Sequence, residues 1–273
     1  MKYGRREFIS VGIGLGAAGL ALAQQGAGNQ SKETAKGGGD NPPLKTRKGK
    51  ITQLFKSPEG YPNGIALAPN GWWIAEQRSD NAVLVDFDGK LLKTVKTESK
   101  NTSGIGFGGG YIWMGANRAP NGIFQTDLNS RTVAHRQIPL GGVQGGGCHG
   151  VLYQDGKLWI AALRLRGILR VDPNTWQPEF LIPYAVPRAH GIAWDNGAIW
   201  MVTGNTDGKA GLIKYDASSG RALETVEFDE LYPDPHGLAI KDGVMYTCDA
   251  GIHPNWPDNI STGHGCVCRI DIA

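Results

Sequence analysis

Three of the six histidines stand at one repeated position. The stretches His149-Gly150-Val151-Leu152, His190-Gly191-Ile192-Ala193 and His236-Gly237-Leu238-Ala239 read alike. Three neutral imidazoles brought together make a tridentate site with open coordination positions. That is the pattern of catalytic Zn, and Fe, Mn or Cu accept it too. An open position lowers the pKa of a bound water or polarises a substrate oxygen. The competing reading is structural: a His before Gly that hydrogen-bonds a neighbouring element and binds no metal. Glu76 is the candidate general base and His264 its alternative, while Arg164 has the fork to hold an anionic or carbonyl oxygen bidentately. Tyr61, Tyr184 and Tyr232 are candidate acids or rim residues.

The elements that must position these groups follow from a repeat. Asn63-Gly64-Ile65-Ala66 and Ser103-Gly104-Ile105-Gly106 share the histidine pattern, and the five starts lie 40, 46, 41 and 46 residues apart. Ten residues after each start comes Trp73, Trp113, Trp159, Trp200 or Tyr246. A period of this size with alternating strands is one blade of a β-propeller. The third strand of each unit ends at Asp86, Asp127, Asp172, Asp216 or Asp271, and fourth strands run over 91–95, 133–138, 179–182 and 223–228. The last unit has no fourth strand of its own, and residues 50–56 alternate like one. The expectation is an all-β, five-bladed β-propeller of four-stranded antiparallel blades over 50–273, its ring closed by the N-terminal strand in the last blade. First strands line the axis of such a fold. Asn63, Ser103, His149, His190 and His236 should therefore ring one mouth of the channel, and Glu76 of blade one can face them from beside blade five. The repeated Trp residues should pack between blades and the strand-ending Asp residues cap turns. The longest loop, 251–265, carries His253, His264, Trp256 and Asp258, and reads as a lid or substrate wall, or as a plain insertion.

Composition excludes several classes. Charged residues are 19% and hydrophobic ones 40% of the 273, which is a globular balance. Net charge is +3, and residues 1–49 hold eight Lys/Arg against three Asp/Glu, so the remainder carries no basic excess for nucleic acid.

The N terminus has the layout of an export signal. Arg5-Arg6-Glu7-Phe8-Ile9 precedes an apolar, Gly-rich run to a small-x-small site at Ala21-Leu22-Ala23. The Arg pair resembles the twin-arginine motif, which implies passage through the Tat machinery. Residues 1–23 are expected to be cleaved, 24–49 to be a disordered linker, and the product to be periplasmic or secreted with no stable membrane span. In that compartment Cys248, at the end of a second strand, can face Cys266 or Cys268 across the hairpin, and a disulfide there would pin the long loop. Cys148 is a pocket thiol, a metal-site neighbour or half of a second bridge; four Cys allow three pairings.

The units Asn-Gly-Ile-Ala-x(6)-Trp-Ile-Ala and His-Gly-Ile-Ala-x(6)-Trp-Met-Val resemble the streptogramin (virginiamycin B) lyase family and, more broadly, NHL and SMP-30 propellers. Those lyases have seven blades against five here, and their His/Glu cluster has no matching His-x-Glu motif in this chain. The three His also look like the channel metal site of peptidyl-hydroxyglycine lyases. These likenesses imply a metal-dependent lyase acting on a small polar or cyclic ester or peptide-like molecule. A lactonase-like metal-assisted hydrolase and a non-catalytic recognition propeller are the alternatives.

Overall fold

The computed structural model describes residues 44–141, 146–186, 188–204, 210–230, 233–251 and 264–273. The expected leader, most of the linker, Tyr232 and the centre of the long loop (252–263) lie outside the described residues.

Among the described residues there are twenty strands and no helix. β1 (Lys45–Lys56) precedes five similar units. The first is β2 (Pro62–Ala68), β3 (Gly71–Glu76), β4 (Asn81–Val85) and β5 (Leu91–Val95); the second is β6 (Thr102–Gly108), β7 (Tyr111–Ala116), β8 (Gly122–Asp127) and β9 (Thr132–Arg136). The third is β10 (Cys148–Gln154), β11 (Lys157–Ala162), β12 (Gly167–Val171) and β13 (Pro178–Pro183). The fourth is β14 (Arg188–Asp195), β15 (Ala198–Gly204), β16 (Ala210–Asp216) and β17 (Ala222–Phe228), and the last has β18 (Leu238–Lys241), β19 (Val244–Asp249) and β20 (Cys266–Ile272). Units one to three are separate four-stranded antiparallel sheets, and the other strands form an eight-stranded sheet, β14-β15-β16-β17-β1-β20-β19-β18.

β1 explains that larger sheet. Its second half pairs antiparallel with β20, as the missing fourth strand should, while Lys45–Gly49 pair parallel with Glu224–Phe228 of β17. The strand therefore begins at Lys45 and not at residue 50, so the last five residues of the stretch read as linker are ordered. Charge explains why: Arg47 meets Glu224 at 3.0 Å, and Lys48 meets Glu227 at 3.4 Å and Asp229 at 2.6 Å. A basic, polar segment looks like linker until the acidic strand beside it is known.

Inner strands meet at their glycines. A methyl group on Gly64 would lie 3.1 Å from Ile105 N, on Gly104 3.1 Å from Val151 N, and on Gly150 2.6 Å from His190 O. On Gly191 it would lie 2.3 Å from Leu238 N, and on Gly237 2.5 Å from Ile65 N. The contacts run β2 to β6 to β10 to β14 to β18 and back to β2, a closed circle of close backbone approaches, tightest at Gly150, Gly191 and Gly237, where a Cβ would meet backbone under 3 Å away. Just inside lies an apolar collar, Ile65, Ile105, Val151, Ile192 and Leu238, each 4% exposed or less.

Between units the core is aromatic and aliphatic. Trp73 packs on Phe107, Trp113 on Tyr153 and Trp159 on Trp194, with ring centroids 6.0, 6.1 and 6.2 Å apart. Each Trp thus reaches the first strand of the following unit, which is why it recurs. The Asp residues after the third strands cap turns: Asp86, Asp127, Asp172 and Asp216 each accept two backbone N–H groups through Oδ1.

All four cysteines are free and buried. The expected bridge from Cys248 is ruled out by register. Cys248 stands opposite Val267, whereas Cys266 opposes Asp249 and Cys268 opposes Thr247. Directly opposed residues share a face and successive ones alternate, so Cys248 lies on the other side of the sheet from both partners.

Candidate functional site

The repeated polar residue sits at the same irregularity in four inner strands. The pairing register slips between Pro62 and Gly64, Thr102 and Gly104, Cys148 and Gly150, and Ala189 and Ile192. The residue in the slip is Asn63, Ser103, His149 or His190. A bulge of this kind releases one side chain from the strand's alternation and re-aims it. His236 lies two residues before β18, held by its N–H to Cys248 O at 2.8 Å, while its own carbonyl accepts Gly191 N–H at 2.7 Å.

The three imidazoles are neighbours. Ring centroids of His149 and His190 are 4.1 Å apart with planes at 34°, and those of His190 and His236 are 4.8 Å apart at 78°. His190 and His236 are buried and His149 half-buried. His149 Nδ1 lies 2.9 Å from Ala189 O and His236 Nδ1 3.0 Å from Asp234 O. A carbonyl only accepts, so both Nδ1 atoms carry a proton, and in the neutral ring Nε2 holds the lone pair. Asp234, fully buried, also places Oδ2 3.6 Å from His236 Nδ1. On the other side of the axial ring, Ser103 Oγ accepts Nδ2–H from Asn63 at 2.9 Å and from Asn117 at 2.8 Å.

Fixing Nδ1–H on a carbonyl or carboxylate is what supports a metal-bound imidazole, so the donor chemistry fits a divalent transition metal. The packing does not yet do so. Among the described residues no group of three or more His, Cys, Asp or Glu stands in a metal-holding arrangement, and His149 and His190 pack ring against ring.

The other candidates lie elsewhere. Glu76 is fully buried, and its Oε2 accepts Tyr61 N–H at 2.9 Å and Oε1 accepts Glu59 N–H at 3.3 Å. Burial pushes its carboxyl pKa up, against the lowering effect of bonds from Ser57, Tyr61 and Glu59. Asp249, at the equivalent repeat position, does the same job: Oδ2 accepts Asp234 N–H at 2.8 Å and Oδ1 accepts Gly251 N–H at 2.6 Å. Both carboxylates anchor the segment entering an inner strand. His264 is half-buried, with Nδ1 2.9 Å from Ala250 O and its ring edge-on to Tyr61 at 5.2 Å; the Arg78 guanidinium carbon lies 3.4 Å from the centroid of the Tyr61 ring. Arg164 is exposed beside Gly146. Tyr184 is a core residue whose hydroxyl donates to Ala162 O at 3.2 Å, and burial pushes its pKa up to about 12. Asp234 is the residue that sequence reasoning missed. Its signal was its place two residues before His236 in Pro233-Asp234-Pro235-His236.

Solved structures share this architecture at low identity. Glutaminyl cyclase from Myxococcus xanthus aligns with a TM-score of 0.59 and 10% identity, over 85% of this chain and 98% of that one. A luciferin-regenerating enzyme aligns at 0.50 and 14%, over 81% and 95%. Streptogramin B lyase, whose family the repeat resembles, reaches a TM-score of 0.40 at 13% identity over 82% and 98%, too low to carry weight. No family model matches the chain. No curated protein matches its sequence. The fold to which these observations lead is an all-β propeller whose units present a row of polar side chains around one end of the axis.

Proposed function

We propose that the chain is a five-bladed propeller enzyme whose His149, His190 and His236 hold a divalent transition metal through Nε2, at the mouth of the axis. The observation that supports this is the meeting of three imidazoles from three successive units, two of them with Nδ1–H fixed on backbone carbonyls. A metal there would polarise a substrate carbonyl or stabilise a leaving oxygen. Asp234 holds His236 in the required tautomer. Glu76, or His264 in its place, would move the proton, and Arg164 would bind an anionic oxygen. The reaction favoured is lyase-type cleavage of a C–O or C–N bond in a small polar or cyclic ester or peptide-like molecule. Trapping an unsaturated product distinguishes it from lactonase-like hydrolysis. The leader supports Tat export to the periplasm or beyond.

The close packing of His149 on His190 favours a second reading, a metal-free imidazole cluster in a recognition propeller. Elemental mass spectrometry of the exported protein beside a His190→Ala variant decides between the two. About one metal per chain, lost in the variant, supports the metal site; no metal in either protein overturns it.

A further inference from the structure

At the other end of the axis the inner strands enclose a cavity of ≈ 220 Å³. The apolar collar forms its inner wall. Its rim is set four residues after each axial-ring residue, by Leu67, Phe107, Tyr153, Trp194 and Ile240. Phe107, Tyr153 and Trp194 are each braced by the Trp of the preceding unit, so they stand as wall and do not fold into the space. Between collar and rim, four of the five units carry a small residue: Ala66, Gly106, Ala193 and Ala239. No lining residue is charged; the polar side chains are those of Tyr153, Gln154 and Trp194, and the inward edges of the strands add backbone polar groups. An ion entering would shed water and meet no countercharge, whereas a mixed apolar and uncharged polar lining suits a neutral molecule. The rim is accessible, since Leu67 is 41% exposed.

We propose that this lower cavity is a binding site, separate from the histidine mouth, for a small neutral molecule with an apolar or aromatic body and one hydroxyl or amide group. The body lies against the collar and the braced aromatics; the polar group is met by Gln154, the Tyr153 hydroxyl or the inward edges of the strands.

The test is a titration of protein carrying ¹³C-labelled isoleucine methyls with benzyl alcohol, with benzoate and benzylammonium as charged comparators of the same ring. Saturable shifts of the Ile65, Ile105, Ile192 and Ile240 signals are expected, with Ile182 and Ile213 of the inter-unit core unmoved. The charged comparators should bind at least tenfold more weakly. Leu67→Glu, which puts a charge on the exposed rim, should weaken the shifts; the wild-type titration stands alone if that variant does not fold. No saturable shift, or equal binding of the charged ligands, overturns the proposal. Metal content plays no part in the readout, so the histidine site can fail without it.

Discussion

Gly191→Ala puts a methyl carbon where backbone already is. The new atom would lie 2.3 Å from Leu238 N, 2.5 Å from Gly237 C and 2.7 Å from Gly237 Cα, against the 3.4–4 Å of ordinary contact. Two inner strands must then separate by about 1 Å, and the Gly191 N–H bond to His236 O, 2.7 Å long, cannot survive that. Overpacking costs about 1–3 kcal/mol, and the lost hydrogen bond adds about 0.5–1.5 kcal/mol. At roughly 2–4 °C per kcal/mol for a domain of this size, Tm should fall by about 3–18 °C. Gly64→Ala is the internal comparison. Its nearest atoms are 3.1 Å away and one belongs to the Ile105 side chain, which can give, so a loss under about 1 kcal/mol is expected. Neither glycine has a positive φ, so space alone separates the two variants. Thermal unfolding followed by circular dichroism measures both. A Gly191→Ala protein within 1 °C of wild type, or less stable Gly64→Ala, would refute the idea that the inner strands close through their glycines.

Without reductant, a thiol reagent should find four cysteines in denatured protein and almost none in the native state; burial pushes the Cys148 thiol up to about 12 and raises the other three. Two or fewer reactive thiols after denaturation would mean a bridge that the register forbids. Asp172 is held down to about 2, chiefly by the Thr175 N–H and then by Lys157, and Asp127 and Asp216 are lowered by their own turns. A depressed folded-state pKa stabilises above the unfolded value of about 3.9 and stops doing so as pH falls toward the folded one. Tm should therefore drop between about pH 4 and 2, and the triple Asp→Asn variant at 127, 172 and 216 should show a flatter profile. A double-mutant cycle on Arg47 and Glu224 should give about 0.2–1 kcal/mol at low salt and less at high salt; a salt-independent coupling would contradict a surface ion pair.

The repeat made most of the fold legible. Spacing alone located the inner strands, the Trp that reaches the next unit, four of the five Asp residues expected to cap turns (Asp271 instead lies within β20) and the role of residues 50–56 as a fourth strand. What escaped it depends on facts that spacing does not hold. Cys248 and Cys266 look pairable along a hairpin, but a one-residue difference in register sets them on opposite faces. The backbone bonds of Glu76 were not legible either, although Asp249 at the same repeat position hinted at a task that both carboxylates share toward the incoming backbone. The three histidines could be placed together from the repeat, whereas their mutual ring packing could not, because it follows from bulges and side-chain torsions.

The split pairing of β1 bears on how the chain reaches its final form. Gln53 and Cys266, which meet across β1 and β20, are 213 residues apart in sequence, whereas the hairpins inside each unit are local. Units can assemble one after another, and the most distant pairing, with the greatest loop-closure cost, comes last. Until then β20 offers a bare edge that only a strand of the β1 pattern satisfies. A second molecule carries the same strand. Concentrated refolding should therefore yield exchanged dimers in which each β1 completes the other's sheet, and dilution before closure should yield monomers.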